Sequence, residues 1–267
     1  MSPSPLRCEV ADGVAVLTID NPPVNAVTVA LARELGSAAA ELDDRDDVGV
    51  IIVTGAGNRA FSAGSDILEF SAMLDPGVAV ERKLRPQMVA FAVLAETHTP
   101  TIAAVNGTCL GGGLEIAVCC DLIVAEESAR LGSPEITLGV FPSSGGTFRV
   151  ARRIGPGRAK EMQLLGEPIS AQTALAWGLV NRVVPDGQCL SGAHELAATL
   201  LRRPPQALGL AKSVINATFD HSERELTERS LLTSEAAFTS AECLEGVRAF
   251  LAKRKPVFRD SSERSAR

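Results

Sequence analysis

Short apolar runs and helical patterns alternate along the first two-thirds of the chain, which is typical of an α/β protein. Residues 8–20 predict two short strands joined by an Asp-Gly turn. Apolar positions then recur at helical spacing from Thr28, a suitable N-cap, to Leu42. Residues 48–53 are continuously apolar, which predicts a central strand buried on both faces.

The remainder of the chain divides into a mixed part and a helical part. Further strands are predicted at residues 101–105, 122–125, 129–132 and 179–184, and a loop at residues 68–76. Helices are predicted at residues 80–97, 158–165, 171–177, 190–201, 205–219, 222–238 and 241–253. Pro86 should kink the first of these helices or mark its real start. We therefore expect a core at residues 1–200 that carries the candidate site, and a helical C-terminal region at residues 201–267.

Composition narrows the function classes. The 267 residues are 46% hydrophobic and 22% charged, with a net charge of −6, which is ordinary for a globular protein. Acidic and basic residues are interspersed, so we expect no nucleic-acid partner. No apolar run reaches the length of a membrane span, and the first residues lack the basic and apolar regions of a secretory leader. We expect a cytoplasmic protein without a membrane partner.

The cysteines and histidines do not predict a metal site. Six cysteines are scattered without a C-x-x-C pair, and the three histidines stand far apart in sequence. A reducing compartment fits this pattern, and most of the thiols are expected to be small core residues. We predict neither a disulfide framework nor a structural metal.

A glycine-rich stretch at residues 105–121 is the first candidate for chemistry. Gly111, Gly112 and Gly113 precede an apolar segment that predicts a buried helix with one carboxylate, Glu115. Glycine lets the backbone approach another group closely, and a helix N-terminus presents unpaired N–H groups and the positive end of the helix dipole. Such a place can stabilise an oxygen that gains negative charge beside an acid/base residue.

Glu115 and Glu135 stand out because apolar or glycine residues surround them in sequence. A carboxyl group buried in such surroundings tends to have a raised pKa, which suits proton transfer near neutral pH. Two such groups held close together can divide the roles of acid and base. An ion pair or a helix-cap contact is the alternative for either glutamate alone, and the residues by themselves leave that alternative open.

Other common site types receive little support. The sequence Gly55-x-Gly57-x-x-Ala60 matches a loose dinucleotide-binding fingerprint, but F-S-A-G follows where the true motif opens into a helix. There is no G-x-S-x-G nucleophile motif, no phosphate-binding G-x-x-x-x-G-K-[ST] and no H-E-x-x-H.

Several motifs together resemble the crotonase family, the enoyl-CoA hydratase/isomerase superfamily. They are F-S-A-G-S-D-I at residues 61–67, I-A-A-V-N-G-x-x-x-G-G-G-x-E at residues 102–115 and P-E-I-T-L-G at residues 134–139. Segments 141–149, 169–180 and 250–255 extend the resemblance over about residues 8 to 259. It implies an α/β fold of repeated ββα units with a helical C-terminal trimerisation region.

The resemblance also implies a reaction and its residues. Similar enzymes bind an acyl-CoA thioester with its carbonyl oxygen between two backbone N–H groups, which here belong to Ser65 and Gly112. Hydratases similar to this chain carry both glutamates. Glu115 would activate water for attack on the beta carbon, and Glu135 would exchange the proton at the alpha carbon. The implied product of a 2-enoyl-CoA is a 3-hydroxyacyl-CoA, with coenzyme A as part of the substrate and no metal or other cofactor.

The remaining positions implied to bind substrate or CoA are Ala63, Asp66, Ile67, Gly111, Pro134, Phe250 and Lys253. In similar proteins the last two positions reach the CoA of a neighbouring subunit, which implies a homotrimer or a hexamer of paired trimers. Without the resemblance, Lys253 would be read as a solvated helix end.

The chain departs from the family's usual residues at two positions, and two alternatives to a hydratase function are open. Ser65 stands where hydratases often have alanine, and Leu68 stands where a basic residue often contacts the CoA phosphates. An isomerase that moves a proton with Glu135 alone is the nearest alternative. The other is a scaffold that binds CoA or RNA without turnover.

Overall fold

The computed structural model describes residues 4–259, which form two β-sheets surrounded by helices. The strands are β1 (Leu6–Ala11), β2 (Val14–Ile19), β3 (Val50–Gly55), β4 (Ala60–Ser62), β5 (Thr101–Val105), β6 (Thr108–Leu110), β7 (Leu122–Glu126), β8 (Arg130–Gly132), β9 (Ile169–Ser170) and β10 (Arg182–Val184). The α-helices are α1 (Val29–Asp43), α2 (Arg85–Glu96), α3 (Gly112–Ala117), α4 (Gly146–Leu165), α5 (Ala171–Trp177), α6 (Cys189–Leu200), α7 (Pro205–Ala217), α8 (Glu223–Phe238) and α9 (Ala241–Leu251). Short 3₁₀ segments cover Ile67–Ala72 and Pro134–Leu138, and a π-helical turn covers Val80–Leu84.

The two sheets are built by a repeated unit. The large sheet has the order β1-β2-β3-β5-β7-β10, and the small sheet has the order β4-β6-β8-β9. In three successive units, β3-β4-α2, β5-β6-α3 and β7-β8-α4, the first strand joins the large sheet and the second joins the small one. Pairing within both sheets is parallel except at β1–β2 and β8–β9. The predicted fold of repeated ββα units is confirmed.

The central strands are covered on both faces, which explains their continuous apolar runs. Every residue of β3 and β5 is buried. The larger core lies between the sheets and helices α1 to α4, and α6 covers the opposite face of the large sheet with Cys189, Ala193 and Ala197. Four of the six cysteines are buried and all six are free thiols, as the sequence predicts.

Most of the strongly periodic elements lie where the sequence predicts them. The β1–β2 hairpin turns at Asp12 and Gly13, both in the left-handed region. Thr28 caps α1, because its Oγ1 accepts from the Leu31 N–H at 3.1 Å. Pro86 lies in the first turn of α2, directly after the π-helical turn Val80–Leu84, so helical backbone already precedes it and it does not mark the start of the helical segment.

Three short strands were missed, and two predictions of local structure were wrong. The short strands β4, β6 and β9 have only two or three residues, too few to show a period. The loop predicted at residues 68–76 begins instead with the 3₁₀ segment Ile67–Ala72. Helix α4 starts at Gly146, twelve residues before the predicted start, and passes through a break at Gly155 that precedes Pro156. The Gly-Pro pair hid the first half of this helix in the sequence.

The C-terminal part is helical, as predicted, from α7 to α9. Helices α8 and α9 present large apolar side chains to solvent in the single chain, namely Leu231, Leu232, Phe238, Leu244, Val247, Phe250 and Leu251. The division at residue 200 remains a prediction, and residues 260–267 of that predicted region lie outside the described residues. Among residues 4–259 no helix combines the length and hydropathy needed to cross a membrane.

Candidate active site

Ser65 and Gly112 bring two backbone N–H groups together at the ends of β4 and β6. Val27 N–H donates to Gly64 O at 2.8 Å, and Asp66 N–H donates to Val27 O at 3.1 Å, which fixes the backbone on both sides of Ser65. Gly112 is the first residue of α3, where helix geometry leaves the N–H without an intrahelical acceptor. Within the described part of the chain, neither the Ser65 N–H nor the Gly112 N–H donates to a protein acceptor.

The two backbone segments approach closely because residue 112 has no side chain. A Cβ added to Gly112 would lie 3.4 Å from Ser65 N and 3.3 Å from Ser65 Oγ. Gly111 has φ +50°, and a Cβ there would lie 3.0 Å from Glu135 Oε1. The backbone at Ser65 and the first residue of α3 therefore lie close together, and neither N–H is used within the described chain.

Glu115 is held in the first turn of α3 by a loop from further along the chain. Its side chain is buried, and Oε1 accepts from the N–H groups of Ser144 (2.7 Å) and Gly146 (3.0 Å). Burial raises the pKa of this carboxyl, and the two N–H donors and the charge of Arg149 act in the opposite direction. Gly146 is needed here because a Cβ would lie 2.9 Å from Glu115 Cγ.

Glu135 lies in the 3₁₀ segment Pro134–Leu138 and has a different environment. Its Oε2 is buried and has no hydrogen-bond partner among residues 4–259. Burial is the main cause that raises the pKa of this carboxyl to about 7, and the nearby charge of Glu115 adds to it. Burial thus raises the pKa of both carboxyl groups, and Glu115 differs in having two backbone N–H donors from the 144–146 loop.

Ser65, Glu115 and Glu135 line one cavity of about 170 Å³. The structure thus brings together three of the four residues predicted for the chemistry, and the fourth, Gly112, touches Ser65. The wall is mostly apolar, from side chains such as Phe70, Leu74, Leu84 and Phe141. Residues with hydrogen-bonding groups that the sequence did not single out also line it, namely Lys83, Gln87, Ser143 and Ser144.

A sequence model described as enoyl-CoA hydratase/isomerase matches residues 9–261. This chain belongs to that family. It is 40% identical over 248 residues to a probable enoyl-CoA hydratase, echA8, of Mycobacterium bovis, which covers 92% of this chain and 94% of the relative. The resemblance to the crotonase family is confirmed.

Solved structures of similar proteins give the same result. Pseudomonas aeruginosa DspI superposes with a TM-score of 0.92 at 35% identity, covering 96% of this chain and 97% of that one. An enoyl-CoA hydratase from Bacillus anthracis superposes with a TM-score of 0.90 at 33% identity, covering 96% of this chain and 99% of that one.

The other positions implied by the family resemblance fall into two groups. Ala63 follows β4 and donates its N–H to Val24 O at 3.0 Å, and Asp66 caps the next segment by accepting from the Leu68 N–H at 2.9 Å. Ile67 is 57% exposed beside them. Pro134 begins the segment that carries Glu135.

Phe250 and Lys253 form the second group, and the single chain does not bring them to the cavity. Phe250 is 83% exposed on α9, and Lys253 is exposed just beyond that helix. Neither lines the cavity between Glu115 and Glu135.

Over residues 4–259, no group of three or more His, Cys, Asp or Glu side chains could hold a metal ion.

Sequence reasoning missed the donors to Glu115 and the polar groups of the π-helical turn and α2. The S-S-G-G loop at residues 143–146 belongs to the recognised motifs, but no role followed from it. Its glycine pair was the available signal, since consecutive glycines allow backbone N–H groups to approach a side chain. Lys83 and Gln87 gave no signal beyond helical spacing on one face.

Proposed function

We propose that this chain is an enoyl-CoA hydratase, which adds water across the 2,3 double bond of an enoyl-CoA thioester to give a 3-hydroxyacyl-CoA. The observation that carries the proposal is the buried Glu115 and the half-buried Glu135, whose Oε2 is buried, in one cavity beside two free backbone N–H groups. Relatives named enoyl-CoA hydratase at 38–40% identity support it.

The Ser65 and Gly112 N–H groups would receive the thioester oxygen. Addition of hydroxide to the beta carbon moves negative charge onto this oxygen, so donors already in place stabilise the enolate more than the ground state. Removing one such donor typically costs about 3 kcal/mol of transition-state stabilisation.

The glutamates would divide the proton transfers. Glu115, ionised and held through Oε1 by two N–H donors, takes a proton from a water molecule. At the same time the oxygen of that water forms a bond to the beta carbon. Glu135, whose pKa is raised to about 7 by burial, gives its proton to the alpha carbon when it is protonated. Glu115 ends protonated and Glu135 ionised, so the return of one proton restores the starting state.

The proposal extends to the cellular compartment and the assembly. We infer a cytoplasmic enzyme that needs no metal or redox cofactor and uses coenzyme A only as part of its substrate. We also infer a homotrimer or a hexamer, with Phe250 and Lys253 reaching the CoA of a neighbouring subunit. Their distance from the cavity of their own chain and the exposed apolar side chains of α8 and α9 support this arrangement.

Crotonyl-CoA tests the reaction directly. We expect the enzyme to remove its conjugated-enoyl absorbance. We expect Glu115→Gln and Glu135→Gln each to reduce turnover by about 10³-fold or more, because each removes one proton transfer. Glu161→Gln changes an exposed glutamate of α4 and should leave turnover unchanged.

Two outcomes would contradict the proposal. One is unchanged crotonyl-CoA absorbance together with conversion of a 3-enoyl-CoA, which would indicate an isomerase. The other is near-wild-type hydration by either glutamine variant, which would exclude the paired-carboxyl mechanism.

A further inference from the structure

Gln87 is a buried amide whose hydrogen-bonding capacity is unused. It lies on α2, is 1% exposed, and lines the cavity that contains Glu115 and Glu135. Neither its Nε2 nor its Oε1 has a partner among residues 4–259. Buried polar groups are almost always paired, and an unpaired one costs about 1–3 kcal/mol. Something that enters the cavity is therefore expected to pair with this side chain.

Lys83 adds a second polar group to the same wall. It precedes Gln87 by four residues, is 3% exposed and also lines the cavity. Its Nζ lies 2.6 Å from Glu69 Oε2 and 3.4 Å from Val27 O. An ammonium has three donors, so one remains after these two contacts.

The cavity has room for more than a bridging water. One water needs about 10–15 Å³, whereas an apolar cavity of about 150 Å³ takes up a benzene-sized group. The cavity here measures about 170 Å³. An acyl chain of a few carbons would fit beside the glutamates and extend to Gln87.

We propose that the acyl pocket recognises a short acyl chain that carries an uncharged hydroxyl group, hydrogen-bonded by Gln87 with Lys83 beside it. The proposal rests on the proposed function, since it names the substrate class of the same site. A hydroxyl group both donates and accepts, so it can pair with both halves of the amide. An alkyl chain of the same size would leave the amide unpaired.

The charges around the cavity favour a neutral group over a carboxylate. Lys83 is the one cationic residue that lines the described cavity, and Glu69 already pairs with it. Glu115 and Glu135 line the same space. A carboxylate on the acyl chain would add a further negative charge there and would use only the donor half of the Gln87 amide.

Binding of saturated thioesters tests the proposal without relying on turnover. 5-Hydroxypentanoyl-CoA and hexanoyl-CoA have equally long chains and differ by a hydroxyl in place of a methyl group. We expect the wild-type protein to bind the hydroxyl compound about 10-fold more tightly or better by calorimetry. Gln87→Met keeps an unbranched side chain but removes both polar atoms, so it should abolish the preference. Gln172→Met, an exposed glutamine on α5, should keep it.

The outcomes separate this proposal from the proposed function. Equal or tighter binding of hexanoyl-CoA by wild type would overturn the hydroxyl preference, and so would a preference that survives in Gln87→Met. Tightest binding of the adipoyl mono-thioester would identify a carboxylate pocket and also overturn it. Crotonyl-CoA hydration, measured on the same preparations, tests the reaction independently. Because wild type alone decides the preference, failure of a variant to fold leaves the test intact.

Discussion

Two glutamates of the same cavity differ because their hydrogen-bond partners differ. Glu115 accepts two backbone N–H bonds at one oxygen, whereas Glu135 has a buried oxygen without a partner in the described chain. Burial raises the pKa of both carboxyl groups, and the two N–H donors at Oε1 favour the ionised form of Glu115. In the proposed mechanism this contact makes Glu115 the base and Glu135 the acid.

The assignment predicts a pH dependence with a definite sign. Glu135 has a pKa near 7 and must be protonated to give its proton to the alpha carbon. We therefore expect kcat/KM for hydration and kcat/KM for dehydration of the 3-hydroxyacyl-CoA to fall in parallel as the pH rises through about 7, because both directions use the same singly protonated glutamate pair and the hydration equilibrium involves no proton. Initial rates in both directions between pH 5.5 and 9 would measure this. Hydration that becomes faster between pH 7 and 9 would contradict the assignment.

The proposed oxyanion hole makes a second prediction for single residues. Gly112→Ala would place a methyl group 3.4 Å from Ser65 N, in the space where the thioester oxygen is expected. We expect kcat to fall about 10²-fold or more. Ser65→Ala keeps the backbone N–H and should change kcat only a few-fold, which makes it the matched control. The proposed hole would be wrong if the two variants had equal activity.

Helix α3 packs closely against β4, and this contact takes no part in the proposed chemistry. A Cβ on Gly113 would lie 2.4 Å from Ser62 O and 2.7 Å from Ser62 Cβ, so α3 would have to move away from the strand. We expect Gly113→Ala to cost about 1–3 kcal/mol of stability, which corresponds to a Tm decrease of roughly 3–10 °C. Thermal unfolding would measure it, with Gly112→Ala in the same helix as the comparison. An unchanged Tm would show that the contact is looser than described.

Elements with a strong hydrophobic period could be predicted from the sequence. Short strands that form only by pairing with distant segments of the chain could not. Helix α1 and strands β3 and β5 have clear patterns and were found close to the expected bounds. Strands β4 and β6 are three residues long and exist because the small sheet assembles from distant segments. A pattern along the chain reports burial, but it does not report which segments meet.

The same limit explains what could be predicted of the site. Glu115 and Glu135 were recognised because charged residues are rare in apolar sequence. The Ser144 N–H reaches Glu115 from 29 residues away, and no local pattern records that bond. Gln87 has an ordinary position in an amphipathic helix, and only the cavity shows that its amide is unpaired.

At the scale of the whole molecule, the C-terminal helices are incomplete in a single chain. Leu232 on α8 is 75% exposed, and Phe250 and Leu251 on α9 are 83% and 75% exposed. Helix α8 has no buried residue. Large exposed apolar patches often mark protein interfaces. The exposed leucines and phenylalanines of α8 and α9 therefore support the proposed assembly with other copies of the chain.

Disruption of this apolar surface should change both assembly and catalysis. In light scattering we expect the wild-type mass to be a threefold or sixfold multiple of the 27.9 kDa chain. Leu232→Glu would place a charge in the interface and should shift the mass toward one chain, because burial of an unpaired carboxylate is costly.

If Phe250 and Lys253 bind the CoA of a neighbour, the same variant should also raise KM for crotonyl-CoA. Leu68→Glu, at a residue that is 84% exposed outside the C-terminal helices, should keep the wild-type mass. A wild-type mass of one chain would contradict the assembly, and a dissociated variant with unchanged KM would exclude the shared CoA site.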